Sequence, residues 1–342
     1  MISADDDSPQ TQSETQTQSE TQTQSKTQSD RSPAAPVVVI GEVLVDRFED
    51  GSEIVGGAPM NVAWNLKGFG FDPWMISAVG RDDTADKILQ QMDSWGMRRG
   101  GIQRSDKPTG YVDVTLDHGE PTYKIVRDVA YDHIDPKVAV ENATEYVTEV
   151  GHGDGESGGR GILYHGSLCF ARRPTRDAIM ALKESLSCDV YLDINVREGH
   201  FETDWIPDLL RGVSYLKCNW DEIQMMAAPD SNADDVTAAM IEGARRLIDK
   251  YDLKGCWLTA GEDGAHWVGR DAKVVSAENP PLSPDAFEDA VGAGDAMASA
   301  TIAGHLRGTA IDETLCQAVR HAGQVCTLRG ATTDRREFYQ LA

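Results

Sequence analysis

The chain is 342 residues long, 40% apolar, and carries 56 acidic against 32 basic residues, a formal net charge of -24. A surface this acidic repels nucleic-acid phosphates and anionic membranes, which argues against either as a partner. The length suits one large α/β domain or two small ones, and no apolar run reaches the ~20 residues of a membrane-spanning helix.

Residues 1–35 are low in complexity, with repeats of the type TQSETQTQSETQTQ and almost no apolar side chains after Ile2. Such a segment buries too little surface to offset its ordering entropy, so a disordered tail is expected, followed by one folded domain over 36–342. The N-terminus lacks a basic region and an apolar core of the signal-peptide type, which predicts a cytoplasmic protein. Six cysteines, Cys169, Cys188, Cys218, Cys256, Cys316 and Cys326, form no C-x-x-C pair and read as free thiols in a reducing compartment.

The run PVVVIGEVLVD, 36–46, reads as a buried parallel strand ending in Asp46. GGAPMNVAWNLKGFG, 56–70, reads as a glycine turn feeding a helix that stops at Gly68. A second strand follows over 74–80 and a helix over 82–95. Residues 110–127 alternate apolar and polar around His118-Gly119, the pattern of a hairpin, and alternation should put Tyr111 and Tyr123 on one face. Strand-then-helix units follow: GILYHGS with a helix over 175–186, DVYLDIN with the 205–210 segment, VSYLKCN with 221–228, and CWLTAG with a turn at 262–264. The final third reads as helical, around 293–306 and 311–328. Strands alternating with helices predict a mostly parallel sheet covered on both faces.

The richest stretch is DAVGAGDAMASATIAGHLRG, 289–308. Gly292-Ala293-Gly294 opens a helix of small residues, where exposed backbone N–H groups can cradle a phosphate. Asp295 follows at once, a carboxylate where a base would take the proton of an attacking hydroxyl. The plainer reading is a glycine-rich cap on a tightly packed helix. Asp46, beyond the carboxyl end of a parallel strand, stands where a ligand is expected and can accept from two neighbouring hydroxyls of a polyol. It also reads as an ordinary strand-ending acid. The DINVR segment sets Asp193, Asn195 and Arg197 at a strand end, where Arg197 can clamp phosphate or make a surface ion pair. CNWDE is equally a good helix start.

Together these motifs resemble, in order and over about 300 residues, the PfkB or ribokinase-like family of carbohydrate kinases. GAGD with its preceding Asp289 is similar to the family's C-terminal signature, with Ala290 where Thr is usual, and GGAPMN is similar to its N-terminal one. The resemblance implies a doubly wound α/β fold with a mostly parallel sheet and a small β lid, here near 46–57 and 105–128. It implies Asp295 as catalytic base and Gly292, Ala293 and Gly294 as anion hole. Asp46, Gly57, Asn61 and Arg197 would meet the sugar. Asn219, Thr259, Gly261 and Gly264 would line the ATP. Glu222 would organise Mg²⁺ through water. The residues Asp289, Val291, Val325 and Gly330, the last two in VCTLRGAT, would border a monovalent cation such as K⁺. The stretch Gly119 to Asp135 looks most like fructokinases, and the Arg197 motif resembles that of fructokinases and ketodeoxygluconate kinases, which makes D-fructose, phosphorylated to fructose 6-phosphate, the expected substrate and leaves ketodeoxygluconate, ribose and adenosine as alternatives. A non-catalytic sugar- or nucleotide-binding regulator would have lost the base or the anion hole, and the sequence keeps both. A homodimer joined through the lid is left open. No G-x-G-x-x-G or G-x-x-x-x-G-K-[ST] occurs, which argues against a dinucleotide dehydrogenase or a Walker-type ATPase.

Overall fold

A computed structural model describes residues 35–117, 120–150, 161–229, 235–283 and 286–340. The expected disordered tail, all but its last residue, and the hairpin tip at His118-Gly119 lie outside the described residues. The chain enters through strands β1 (Val37–Ile40), β2 (Leu44–Phe48) and β3 (Glu53–Gly56), helix α1 (Ala58–Gly68), strand β4 (Trp74–Val79) and helix α2 (Asp83–Trp95). Next come β5 (Ile102–Arg104), β6 (Gly110–Asp117), β7 (Glu120–Ile125), α3 (Pro136–Val150), β8 (Ile162–Gly166), α4 (Arg173–Ser185), β9 (Asp189–Asp193) and α5 (Ile206–Leu210). The remainder is β10 (Tyr215–Asn219), α6 (Trp220–Ala227), α7 (Val236–Tyr251), β11 (Gly255–Thr259), β12 (Ala265–Gly269), β13 (Val274–Ala277), α8 (Ala293–Arg307) and α9 (Ile311–Val325).

Nine strands form one sheet in the order β13-β12-β11-β10-β9-β8-β1-β4-β5. From β11 to β5 all pairings are parallel, and β12 and β13 close one edge antiparallel. The apolar run of β1 is explained by burial on both faces. Val38 and Ile40 point into a core with α3, α4, α5, α6 and α7, while Val37 and Val39 point into a second core with α1, α2, α8 and α9. Local chemistry sets the helix ends. At α2, for example, Asp82 accepts from the Ala85 N–H at the start and Gly96 turns left-handed at the end.

The strand order reverses between β1 and β8, and ligands of such sheets bind outside the carboxyl ends of the strands at that point. A separate four-stranded sheet, β3-β2-β6-β7, stands beside this end. In it Asp46 pairs with Val112, and Val114 with Tyr123, so Asp46, Val112, Val114 and Tyr123 share one face. Tyr111 is an odd number of residues from Val114 on the same strand and therefore points to the other face, where Arg47 lies 4.3 Å above its ring. The expectation that the two tyrosines share a face is corrected by this register, since the hairpin turn, and not the residue count, decides which residues oppose each other. The chain past residue 264 is less helical than its composition suggests, because β12 and β13 intervene. Helices α3 and α7, both amphipathic, and the short β5 were also not read from the sequence.

Candidate active site

The site starts at the first turn of α8. Gly292 caps this helix with φ 80°, and a Cβ there would stand 2.2 Å from the Ala331 Cβ, so the close turn requires glycine. The first N–H groups of a helix have no intrahelical acceptor; that of Ala293 turns back to the Ala290 carbonyl at 3.3 Å, which leaves those of Gly292 and Gly294 to face an anion, with the positive end of the helix dipole behind them. From Asp295 to Gly304 every residue of α8 is buried. Small side chains let α1 and α9 close on this helix, and the catalytic candidate is carried inward with it.

Asp295 is only 7% exposed. Its Oδ2 accepts a 2.8 Å hydrogen bond from Asn61 Nδ2 on α1, 234 positions earlier in the chain. Burial pushes the Asp295 carboxyl up to about 7, the Asp193 charge adds to the rise, and the Asn61 bond and the Lys217 and Arg197 charges oppose it. Asn61 thus commits its amide N–H to the carboxylate and keeps Oδ1 for another partner.

Beside Asp295, the ends of β9 and β10 hold a buried ion pair. Lys217 Nζ lies 2.8 and 2.9 Å from the two oxygens of Asp193, with side-chain exposures of 7% and 1%. Burial by itself would lower the Lys217 ammonium, but the Asp193 charge and hydrogen bonds hold it above the ordinary lysine value. Nζ sits 3.3 Å from where a Gly294 Cβ would be, directly against the anion hole. Two of its three donors are taken by Asp193, and one remains.

At the next turn Asn219 caps α6 by accepting from the Glu222 N–H at 3.0 Å, while Glu222 accepts from the Asn219 N–H at 2.9 Å and the Val196 N–H at 2.8 Å. The N-x-x-E segment is therefore a capping box in the structure. Glu222 is 6% exposed, and burial raises its carboxyl. Each of its oxygens keeps acceptor capacity beside the backbone bond it takes. That donor set fits a Mg²⁺ reached through water, the manner this ion prefers.

Ahead of α1, Gly57 holds φ 104°, and a Cβ there would lie 2.7 Å from the Glu42 carbonyl oxygen. Glu42 is buried, and burial raises its carboxyl despite the hydrogen bond from Cys169. Asp46 faces the same region from β2; burial pushes its carboxyl up to about 6, with Arg197 opposing. Arg197 acts electrostatically on Asp46, Glu42 and Asp295 at once, yet among the described residues its guanidinium forms no ion pair. Asn195 before it adopts φ 41°, a left-handed turn that re-aims the chain at the end of β9.

The remaining expected positions line the rim. Thr259 ends β11 opposite Asn219 in register. Gly261 accepts from Asn279 Nδ2 at 2.8 Å, and Gly264 turns the chain into β12 at φ 94°. No hydrogen bond among the described residues joins these three to Asp295. Asp289 links two loops, accepting from Val291 N–H at 2.7 Å and Gly330 N–H at 3.2 Å. The Val325 carbonyl accepts from the Leu328 N–H at 2.9 Å, and the Cys326 carbonyl from the Glu288 N–H at 2.9 Å. Asp289, Val291, Val325 and Gly330 thus belong to one stitched pair of loops in front of α8.

Two buried charges of the site were not picked out from the sequence, Lys217 and Glu42. Each had a signal. A lysine inside the apolar strand YLKCN, or a glutamate inside VVVIGEVLV, is buried only when it is paired or functional.

The model of the pfkB family carbohydrate kinases matches residues 34–337. An ATP-dependent 6-phosphofructokinase of Thermoanaerobacterium thermosaccharolyticum is 24% identical over 301 residues, 82% of this chain and 84% of that protein. An uncharacterized sugar kinase of Pyrococcus horikoshii, solved in complex with ATP, superposes with a TM-score of 0.67 at 22% identity, over 86% of this chain and 93% of that one. The fructokinase of Vibrio cholerae O395, solved with fructose, ADP and calcium ion, gives 0.70 at 18% identity, over 90% and 99%. A double mutant of that fructokinase was solved with potassium ion, again at 0.70, with 19% identity over 91% and 99%. The ribokinase-like fold is shared with these structures, and this chain belongs to the pfkB family of carbohydrate kinases, phosphotransferases that act on a sugar hydroxyl.

Proposed function

We propose that this kinase transfers the γ-phosphoryl group of ATP to the 6-hydroxyl of D-fructose, with Asp295 as the base. The observation that carries the catalytic part is the Asn61–Asp295 hydrogen bond at the mouth of the α8 anion hole. Asn61 holds Oδ2, which leaves Oδ1 to accept the proton of the attacking hydroxyl. As that oxygen bonds to the γ-phosphorus, the bond to the β–γ bridging oxygen breaks and ADP departs with its electron pair. The N–H groups of Gly292 and Gly294 and the remaining Lys217 donor meet the charge on the transferring oxygens, in a site where water is largely excluded. Mg²⁺, when bound, would neutralise the polyphosphate, and Glu222 is the carboxylate that would hold its water. A carboxyl poised near 7 is well matched to proton transfer at neutral pH.

The small sheet brings Asp46 over the same crevice, and we read it as a lid that closes on the sugar hydroxyls. Fructose is favoured because the Arg197 segment is similar to that of fructokinases and a fructokinase solved with fructose shares the architecture over nearly the whole domain. One observation favours a second reading. Arg197, which has no ion-pair partner among the described residues yet lies within electrostatic reach of three site carboxylates, would suit the carboxylate of ketodeoxygluconate.

A panel of fructose, ribose, ketodeoxygluconate and adenosine under saturating Mg-ATP separates the two. We expect kcat/KM for fructose to lead by at least roughly tenfold, about 1.4 kcal/mol of transition-state discrimination. A lead for ketodeoxygluconate would replace the fructose assignment by the second reading.

A further inference from the structure

We propose that the kinase carries a second small-molecule site, at the end of the sheet remote from Asp295, for a planar heteroaromatic anion of the purine nucleotide class. A cavity of about 370 Å³ opens there between the amino-terminal halves of β9, β10 and β11 and the carboxyl-terminal end of α8. Ligand sites of soluble proteins fall at about 300–1,000 Å³ and combine apolar walls with a few polar groups. Trp257 and Trp267 stand 4.4 Å apart between ring centroids, Tyr215 lies 6.1 Å from Trp267, and His305 of α8 lies 5.0 Å from Tyr215. Four aromatic rings thus border a space large enough for a further ring, which they would contact through stacking and edge-to-face packing.

A cleft of about 530 Å³ adjoins the cavity and shares Lys254, Trp267 and Ile311 with it. Its other walls include Arg270, Asp271 and Lys273. Lys254 is held by the buried Asp189 at 2.6 Å and Arg270 by Asp252 at 2.8 Å. Lys273 is exposed and, among the described residues, its ammonium has no carboxylate partner. Lys254, Arg270 and Lys273 are set against Asp189, Asp252 and Asp271, so on a chain of net charge -24 this cleft is locally balanced rather than acidic. An anion meets less repulsion at such a balanced cleft than over an acidic surface, and the Lys273 ammonium is left to meet it. The aromatic slot would take the ring and the cleft the phosphate, which is why one ligand must carry both.

The test uses the full chain with no other nucleotide present, since a saturating ATP analogue would itself belong to the proposed ligand class and fill the second site. Adenosine monophosphate, adenosine and inorganic phosphate are then titrated separately by calorimetry. We expect saturable binding of the monophosphate at least about tenfold tighter than either fragment. His305→Trp, which fills the slot, and Lys273→Glu, which reverses the free cation, should each weaken it at least about tenfold, while kcat stays within twofold of the parent. Lys273 is exposed, so its variant decides the matter even where the filled slot perturbs folding. Absence of saturable binding, or binding that Lys273→Glu leaves unchanged, overturns the proposal.

Discussion

Asp295 combines two demands that pull against each other. Burial makes its carboxyl a competent base near neutrality, yet the same burial costs folding free energy whenever the group is charged. Its folded value of about 7 exceeds the ordinary carboxylate value, so the folded protein binds the proton more tightly than the unfolded chain. Stability from this group is therefore greatest below the ordinary carboxylate range and is lost as pH rises to about 7. Changing Asp295→Asn should remove that dependence. The variant's Tm should exceed the parent's by a margin that grows between pH 4 and pH 8. Its turnover should fall ~10²–10⁴-fold, the usual contribution of a general base. In the parent, kcat/KM should climb tenfold per pH unit below about 7 and level off above it, because only the ionised carboxylate accepts a proton. A variant that keeps more than about half of the parent kcat, or a parent profile flat through pH 7, would assign the base elsewhere.

Among the elements, α8 matters most, since its first turn carries both the proposed anion hole and the proposed base. What steadies that turn is the pair of loops joined by Asp289, whose two oxygens hold the N–H groups of Val291 and Gly330. Backbone carbonyls and one carboxylate suit a hard monovalent cation, and an ion there would further restrain the loops that present Gly292. Potassium should accordingly raise kcat over tetramethylammonium at equal ionic strength, by way of a better-ordered anion hole. Equal rates in the two salts would remove the ion from this account.

For the whole molecule, a central issue is how much of the chain the kinase needs. The compact unit runs from Pro33 to Ala342, and the family match from 34 to 337. Residues 1–35 hold six acids and two bases, so the remainder still has a net charge near -20 and the tail does not explain the acidity. We propose that the tail is a solvated appendage. Deleting residues 1–33 should leave kcat and KM nearly unchanged in a steady-state assay. A tenfold change in either would mean that the tail docks on the enzyme.

Local chemistry in the chain was enough to reveal much of this protein. The all-apolar β1, the helix that follows Gly56-Gly57 and the glycine-rich start of α8 are readable because neighbouring residues make each of them. Asp295 was legible for the same reason, standing directly after the glycine turn proposed to hold phosphate. Tertiary structure alone decided the rest. Asn61 meets Asp295 across 234 positions, and Lys217 finds Asp193 across a strand pairing. Which face Tyr111 takes follows from strand register, and the aromatic slot from three strands and the far end of one helix. Contacts of this kind depend on the order in which distant strands assemble, and that order is set by burying two cores at once rather than by any short run of residues.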